Sequence, residues 1–176
     1  GITLGEDGAT HQTLEDIGMM KMLPNMTVIV PCDFNQTKAA TLAVAEHEGP
    51  VYLRFGRPKV ANFTPADEPF VIGKAQMLQE GTDLINIHTI KPLDVEAVLA
   101  SAKKTGCVVT AEEHQINGGL FDSISQVLSR NCPTPIEPVA VFDVYGQSGT
   151  PDELMKHYHL DTDDIVEAAK RAVARK

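Results

Sequence analysis

The densest run of polar chemistry in this 176-residue chain is Gly5-Glu6-Asp7-Gly8-Ala9-Thr10-His11-Gln12. Two glycines bracket two carboxylates, and an imidazole stands four residues after Asp7, just before an amphipathic stretch. Glycine lets the backbone approach a ligand or take positive φ, and a helix N-terminus offers free N–H groups to polar substrates. Asp7 and His11 could therefore face one pocket. The same residues also fit an architectural role, with Glu6 and Asp7 complementing a helix dipole and Thr10 capping the helix. A second candidate is the pair Arg54 and Arg57, flanking the end of the apolar run Val51–Phe55. Ligands of parallel α/β sheets lie beyond the carboxyl ends of strands, where a guanidinium suits phosphate or carboxylate; a surface ion pair is the duller account. The third is Ala111-Glu112-Glu113-His114-Gln115-Ile116-Asn117-Gly118-Gly119-Leu120. Its adjacent carboxylates and histidine could do acid–base work, but a subunit contact or a tight turn is the favoured reading.

The elements that must position these residues alternate short apolar runs with helical patterns, the sequence form of an α/β layer with a largely parallel sheet. Leu14, Ile17, Met20 and Leu23 recur at helical spacing, which predicts a helix over 10–23 stopped by Pro24-Asn25. Strands are expected at 26–30 and 51–55, with an Ala-rich helix at 35–47 between them. Residues 56–69 place three prolines among polar residues and read as an interdomain linker. Beyond it, strands are expected at 71–78, 85–90, 107–111 and 136–142, and helices at 92–104, 118–130, 152–157 and 162–174. One junction resists this scheme. Glu80-Gly81-Thr82-Asp83 is a turn between two strands, where a parallel pair would need a crossover of a dozen residues or more. Either the two strands form an antiparallel hairpin or residues are missing between 83 and 84.

Composition narrows the function classes. Lys and Arg number 15 against 24 Asp and Glu, for a net charge of -9, with no basic run. That argues against a nucleic-acid or anionic-membrane surface, both of which call for a basic patch. The longest apolar stretches fall far short of the roughly 20 residues that span a bilayer. Cys32, Cys107 and Cys132 are odd in number and in no zinc spacing, so they read as reduced thiols, and the expected compartment is the cytoplasm. His47, His88, His157 and His159 lack partners at metal spacing, and no metal site is expected in the chain. The start at Gly1-Ile2-Thr3-Leu4 has no leader and no preceding element to pack on, and reads as a fragment.

Taken in order, Gly5 to Gln12, Leu23-Pro24-Asn25-Met26, Pro31-Cys32-Asp33 and Gly49-Pro50 through Arg57 resemble transketolase. The likeness continues through Ile87-His88-Thr89-Ile90-Lys91-Pro92-Leu93-Asp94 and Ala111-Glu112-Glu113-His114 with Gly118-Gly119, covering almost the whole chain. More closely, the chain resembles the separate C-terminal subunit of split bacterial transketolases. The Glu-Asp pair before Gly-Ala-Thr-His favours that family over the related 1-deoxyxylulose-5-phosphate synthases and over oxo-acid dehydrogenase β subunits.

The resemblance implies two three-layer α/β domains with largely parallel sheets: part of a pyrimidine-binding domain over 1–66 and a transketolase C-terminal domain over 67–176. It implies an enzyme that uses thiamine diphosphate and Mg²⁺ to move a two-carbon ketol unit from a ketose phosphate to an aldose phosphate, as between pentose phosphates. Asp7 would bond the hydroxyl next to the donor carbonyl, His11 the hydroxyls or carbonyl oxygen of the two-carbon unit, and Arg57 the substrate phosphate. Arg54 is placed with Arg57 as a substrate-binding residue, although most single-chain members have a small residue there. The family's cofactor-activating glutamate and ring-packing aromatics belong upstream of Gly1. The diphosphate and metal belong to another domain, expected on a partner N-terminal subunit with a Gly-Asp-Gly...Asn-Asn motif. The chain is therefore expected to be inactive alone and to work in a homodimer or heterotetramer. The family also has a strand and helix between the positions of Asp83 and Leu84. The alternatives are a sister enzyme such as a 1-deoxyxylulose-5-phosphate synthase, and a non-catalytic assembly or regulatory module.

Overall fold

The computed structural model describes residues 1–176, which form two compact units, Met20–Ala97 and Gly1–Met19 with Val98–Lys176. No helix is long and apolar enough to cross a membrane.

In the unit Met20–Ala97, the β-branched run before Pro31 forms β1 (Thr27–Ile29), and the Ala-rich segment forms α2 (Phe34–Ala45), leading to β2 (Val51–Leu53). The short helix α1 (Asp16–Met22) precedes them. Strands β1 and β2 pair in parallel, Val28 opposite Tyr52. On the other side of β1 lies β5 (Thr89–Lys91), antiparallel. Central β1 is buried along its length, as expected of a strand covered on both faces. Between β2 and β5, β3 (Gln76–Gln79) and β4 (Leu84–Asn86) form an antiparallel hairpin. Gly81 and Asp83 take positive φ in its turn. The hairpin is thus the arrangement that accommodates a four-residue connection. The strand expected at 85–90 is broken at His88, whose carbonyl accepts from Val30 N at 2.8 Å. The strand expected at 71–78 starts only at Gln76, because Val71 to Lys74 closes a turn (Lys74 N to Val71 O, 3.1 Å).

The proline-rich segment 56–69 contains neither helix nor strand. It lies inside this unit, tied to the start of α2 by Asp33, which is 3% exposed. Asp33 caps α2 by accepting from Gln36 N (2.9 Å) and also accepts from Phe63 N (2.9 Å), Thr64 N (2.8 Å) and the Thr64 hydroxyl (2.6 Å). Burial raises its pKa, but these four donors outweigh that and hold the carboxyl below its ordinary value.

In the other unit, β6 (Val108–Gln115) and β7 (Ile136–Val141) pair in parallel across the connecting helix α4 (Leu120–Asn131). Helices α5 (Pro151–His157) and α6 (Thr162–Val173) follow, each opened by a capping box, Thr150 with Glu153 and Asp161 with Asp164. The helix α3 (Val95–Thr105) leads into β6. The core joins Ile2 of an opening 3-10 turn to Leu14, Val139, Val141, Leu154, Tyr158, Leu160 and Ala168.

The helix expected from Thr10 begins only at Asp16. Within a helix the carbonyl of Leu14 would accept from Gly18 N. Here it accepts instead from Gln115 N of β6 at 2.8 Å. Gly18 N turns to the His114 ring at 3.3 Å. A strand has taken the hydrogen bond that would have extended the helix, so Leu14 is buried (1% exposed) outside any helix and Thr10 does not cap α1.

Candidate functional site

The segment from Gly5 to Gln12 is a sequence of turns. Gly8 N donates to Gly5 O (3.2 Å), and His11 N and Gln12 N both donate to Gly8 O (3.0 and 3.1 Å). Gly8 has φ +75, a left-handed conformation that favours glycine, and a Cβ there would stand 2.7 Å from the rotatable Ser148 Oγ. Asp7 and His11 are exposed on this turn, and His11 Nδ1 lies 2.9 Å from Thr10 Oγ1. The Thr10 contact leaves Nε2 as the ring atom available to a ligand. The structure thus brings Asp7 and His11 onto one loop.

Arg54 and Arg57 belong to the unit Met20–Ala97, at the carboxyl end of β2. Arg54 is half-buried and prolongs the pairing with β1 through its N–H to Ile29 O at 2.9 Å; Arg57 is exposed on the following turn. The parallel strands end on the same side, where Asp33 anchors the returning loop.

The Glu112-Glu113-His114 group is spent on architecture. Glu112 accepts from Leu120 N and Phe121 N at 2.7 and 2.9 Å, capping α4 from the neighbouring strand. A Cβ on Gly119 would stand 2.0 Å from that carboxylate. Gly118 has φ +83, and a Cβ there would approach Gly18 Cα to 2.8 Å. Glu113 accepts from the Thr3 backbone and hydroxyl at 3.1 and 2.7 Å. His114 is fully buried, Nδ1 donating to Gln115 O at 2.7 Å and Nε2 accepting from Gly18 N. Of the favoured pair of readings, a subunit contact or a tight turn, the chain shows the turn, at residues 116–118 directly after β6.

Two concavities in the unit Met20–Ala97, of about 270 and 420 Å³, include none of the four predicted residues in their linings. The first is bordered by Gln36, Phe70, Gln76 and His88. Beside this region, burial and the Asp33 carboxylate push the Cys32 thiol up to about 11, which makes it a poor nucleophile. All three cysteines are free thiols. No group of three or more His, Cys, Asp or Glu side chains converges on a point that could hold a metal ion.

Gln12 is not among the candidates drawn from the sequence, yet it organises the loop. It is 4% exposed, and its amide donates to the carbonyls of Gly5 (2.9 Å), Gln147 (2.9 Å) and Ile2 (3.3 Å). Its type next to His11 is the only signal in the sequence; the carbonyls it serves come together only on folding.

Comparison with known proteins divides the chain by sequence at a different point from the two compact units. The transketolase pyrimidine binding domain family matches residues 1–62, and the transketolase C-terminal domain family matches residues 71–165. Over 204 residues the chain is 37% identical to a 6-deoxy-6-sulfo-D-fructose transketolase subunit of Clostridium sp., covering 100% of this chain and 63% of that protein. It is 32% identical to an apulose-4-phosphate transketolase subunit of Phocaeicola vulgatus, covering 99% of this chain and 65% of that protein. The chain thus spans less than two thirds of the length of these relatives. Among solved structures, a split-gene transketolase described as an inactive beta4 tetramer superposes with a TM-score of 0.92 at 37% identity, over 97% of this chain and 65% of that one. A transketolase from Pichia stipitis, 17% identical, shares the fold with a TM-score of 0.69. With the C-terminal domain family matching more than half of the chain and the ordered motifs in place, the chain belongs to the transketolase family.

Proposed function

We propose that this chain is the C-terminal component of a transketolase, moving a two-carbon ketol unit from a ketose phosphate to an aldose phosphate in company with an N-terminal subunit. The reading is supported above all by the placement of Asp7 and His11 on one exposed turn whose backbone is held by buried side chains. The Asp7 carboxylate accepts from the hydroxyl beside the donor carbonyl. The His11 Nε2 bonds the hydroxyls or carbonyl oxygen of the two-carbon unit. Arg57 takes the substrate phosphate by a forked guanidinium contact, with Arg54 assigned to the same anion. Orientation of this kind lowers the barrier by fixing reacting atoms before the chemical step. Thiamine diphosphate with Mg²⁺ would supply the carbanion chemistry when bound, held mostly by parts outside this chain. The two relatives are named for different sugars, which share a ketol end and differ beyond it; that fits a loop that reads the ketol end.

The proposed domain division is 1–66 and 67–176. The match to the Clostridium relative extends over 204 positions against 176 residues here, so that relative carries residues this chain lacks; we place a strand and helix of the family where this chain passes from Asp83 to Leu84. A homodimer or heterotetramer in the cytoplasm, serving pentose phosphate metabolism, completes the proposal.

The test is to combine the chain, in a version carrying the family's full complement of residues, with an N-terminal transketolase subunit, thiamine diphosphate and Mg²⁺. Ketol transfer between pentose phosphates is expected, and His11→Ala should lower kcat/KM at least about 100-fold, the range for a group orienting the reacting centre. Turnover only with pyruvate as donor would assign the synthase chemistry instead. Absence of turnover with any sugar-phosphate pair, with assembly indifferent to His11→Ala, would identify an assembly module.

A further inference from the structure

We infer that Gln12 is a positioning residue that locks the Asp7–His11 loop to the connection between β7 and α5, an inference that rests on reading that loop as the substrate loop. An amide NH₂ has two protons to give. Its two short bonds, both 2.9 Å, go one to Gly5 O at the start of the loop and one to Gln147 O in the connection; the longer contact, 3.3 Å, reaches Ile2 O in the buried 3-10 turn. A single side chain thus joins three backbone segments, and it is 4% exposed while doing so.

The orientation of the amide is dictated by these three carbonyls, which can accept from the NH₂ and not from Oε1; Gly5 O and Ile2 O each accept a backbone N–H as well, from Gly8 and Gly5. The consequence is that Gln12 Oε1 is buried without a hydrogen-bond partner. It faces Gly146, where a Cβ would stand 2.0 Å from Oε1, with the next contacts at 3.1 Å to Gln12 Cδ and 3.4 Å to Ile2. Positive φ does not account for Gly146, which is absent from the residues with left-handed backbone. It is glycine because Gln12 occupies the space. Gly8 meets the same connection from the loop side, at Ser148. Burying an unpaired acceptor is unfavourable, and the arrangement persists because the three donor contacts outweigh it. Moving the connection would therefore move the backbone from which Asp7 and His11 project.

The experiment is amide hydrogen exchange on the full chain, read by segment. Gln12→Leu, which removes both donors at similar volume, should lower protection by about tenfold or more in both 5–12 and 146–149, while α4 and α6 keep theirs. Gln12→Glu should do the same at neutral pH, where its carboxylate faces three carbonyls, and should recover protection on acidification as the carboxyl regains a proton to donate. Gly146→Ala should deprotect both segments in the parent chain but have little further effect in a Gln12→Ala background, where the space is vacant. Equal effects of Gly146→Ala in the two backgrounds, or deprotection of 5–12 alone, would overturn the lock. In the assembled enzyme, Gln12→Glu should lose kcat at neutral pH and regain part of it on acidification. A parent complex that shows the exchange pattern but no ketol transfer supports the lock and removes the transketolase reading, so the two fail separately.

Discussion

Removing the Asp33 carboxylate should loosen the loop that carries Arg57 as well as destabilise the unit around it. Four donors converge on this side chain: Gln36 N and the Thr64 hydroxyl on Oδ1, and Phe63 N and Thr64 N on Oδ2. Asp33→Ala removes the N-cap of α2, which costs about 1 kcal/mol. It also strands the N–H groups of Phe63 and Thr64, each of which costs about 1–3 kcal/mol if no water reaches it. The expected loss is therefore about 3–7 kcal/mol for the unit, its upper end reached only if no water replaces the lost acceptor, and a large part of the stability of a small domain. Asp33→Asn keeps the shape but turns an NH₂ toward one pair of donors, so it should lose roughly half as much. Urea unfolding followed by circular dichroism measures the first quantity, and exchange at Phe63 and Thr64 locates it. The pH dependence gives an independent check. The folded pKa of Asp33 is depressed by its donors, so its stabilisation is complete above the unfolded carboxylate pKa and is lost as pH falls through the folded value. The acid limb should accordingly be shallower in Asp33→Asn. An Asp33→Ala chain that unfolds at the parent urea concentration, with Thr64 still protected, would refute this account of how the proline-rich segment is held.

His88 offers a second acid-sensitive group. It is 5% exposed, its ring centroid lies 4.2 Å from that of Phe70, and burial lowers its pKa from 6.5 to about 4. The unfolded chain binds this proton and the folded chain refuses it, so stability should decline as pH falls from about 6.5 toward 4; a His88→Gln variant should lack that decline in a denaturation series. Gly118→Ala should destabilise the other unit by at least about 2 kcal/mol, combining a left-handed φ with a backbone clash against Gly18 that no rotamer relieves. A thermal melt within a degree of the parent would contradict that geometry.

Much of the fold is legible in the chain because it is local. The run Met26 to Val30 is β-branched and ends at a proline, and the Ala-rich stretch after Asp33 favours a helix wherever it packs; β1 and α2 appear within two residues of their expected bounds. Asp161 and Thr150 announce their helices by capping boxes that depend on residues three apart. The start of α1 is not legible in this way. Its periodicity continues back toward Thr10, but the carbonyl of Leu14 is claimed by Gln115, about a hundred residues away. The proline-rich segment reads as a linker because its composition is that of exposed turns, while the anchor that packs it, Asp33, lies 30 residues upstream.

For the candidate site, residue type and spacing put Asp7, His11 and the arginines at the end of β2 forward as candidates beside an architectural reading, because carboxylate, imidazole and guanidinium are chemically distinct and glycines mark the turn that carries the first two; the resemblance to transketolase chose among the candidates. Tertiary structure decides what their neighbours do. Glu112 and His114 have the same chemical types as a working acid–base group, and only the arrival of the α4 N-terminus and of Gly18 N commits them to structure. Gln12 is the converse case, an ordinary amide in the sequence whose importance arises from three carbonyls assembled by folding. Side-chain chemistry is a property of the residue itself, whereas hydrogen-bond commitment depends on donors and acceptors that long-range packing brings within about 3 Å.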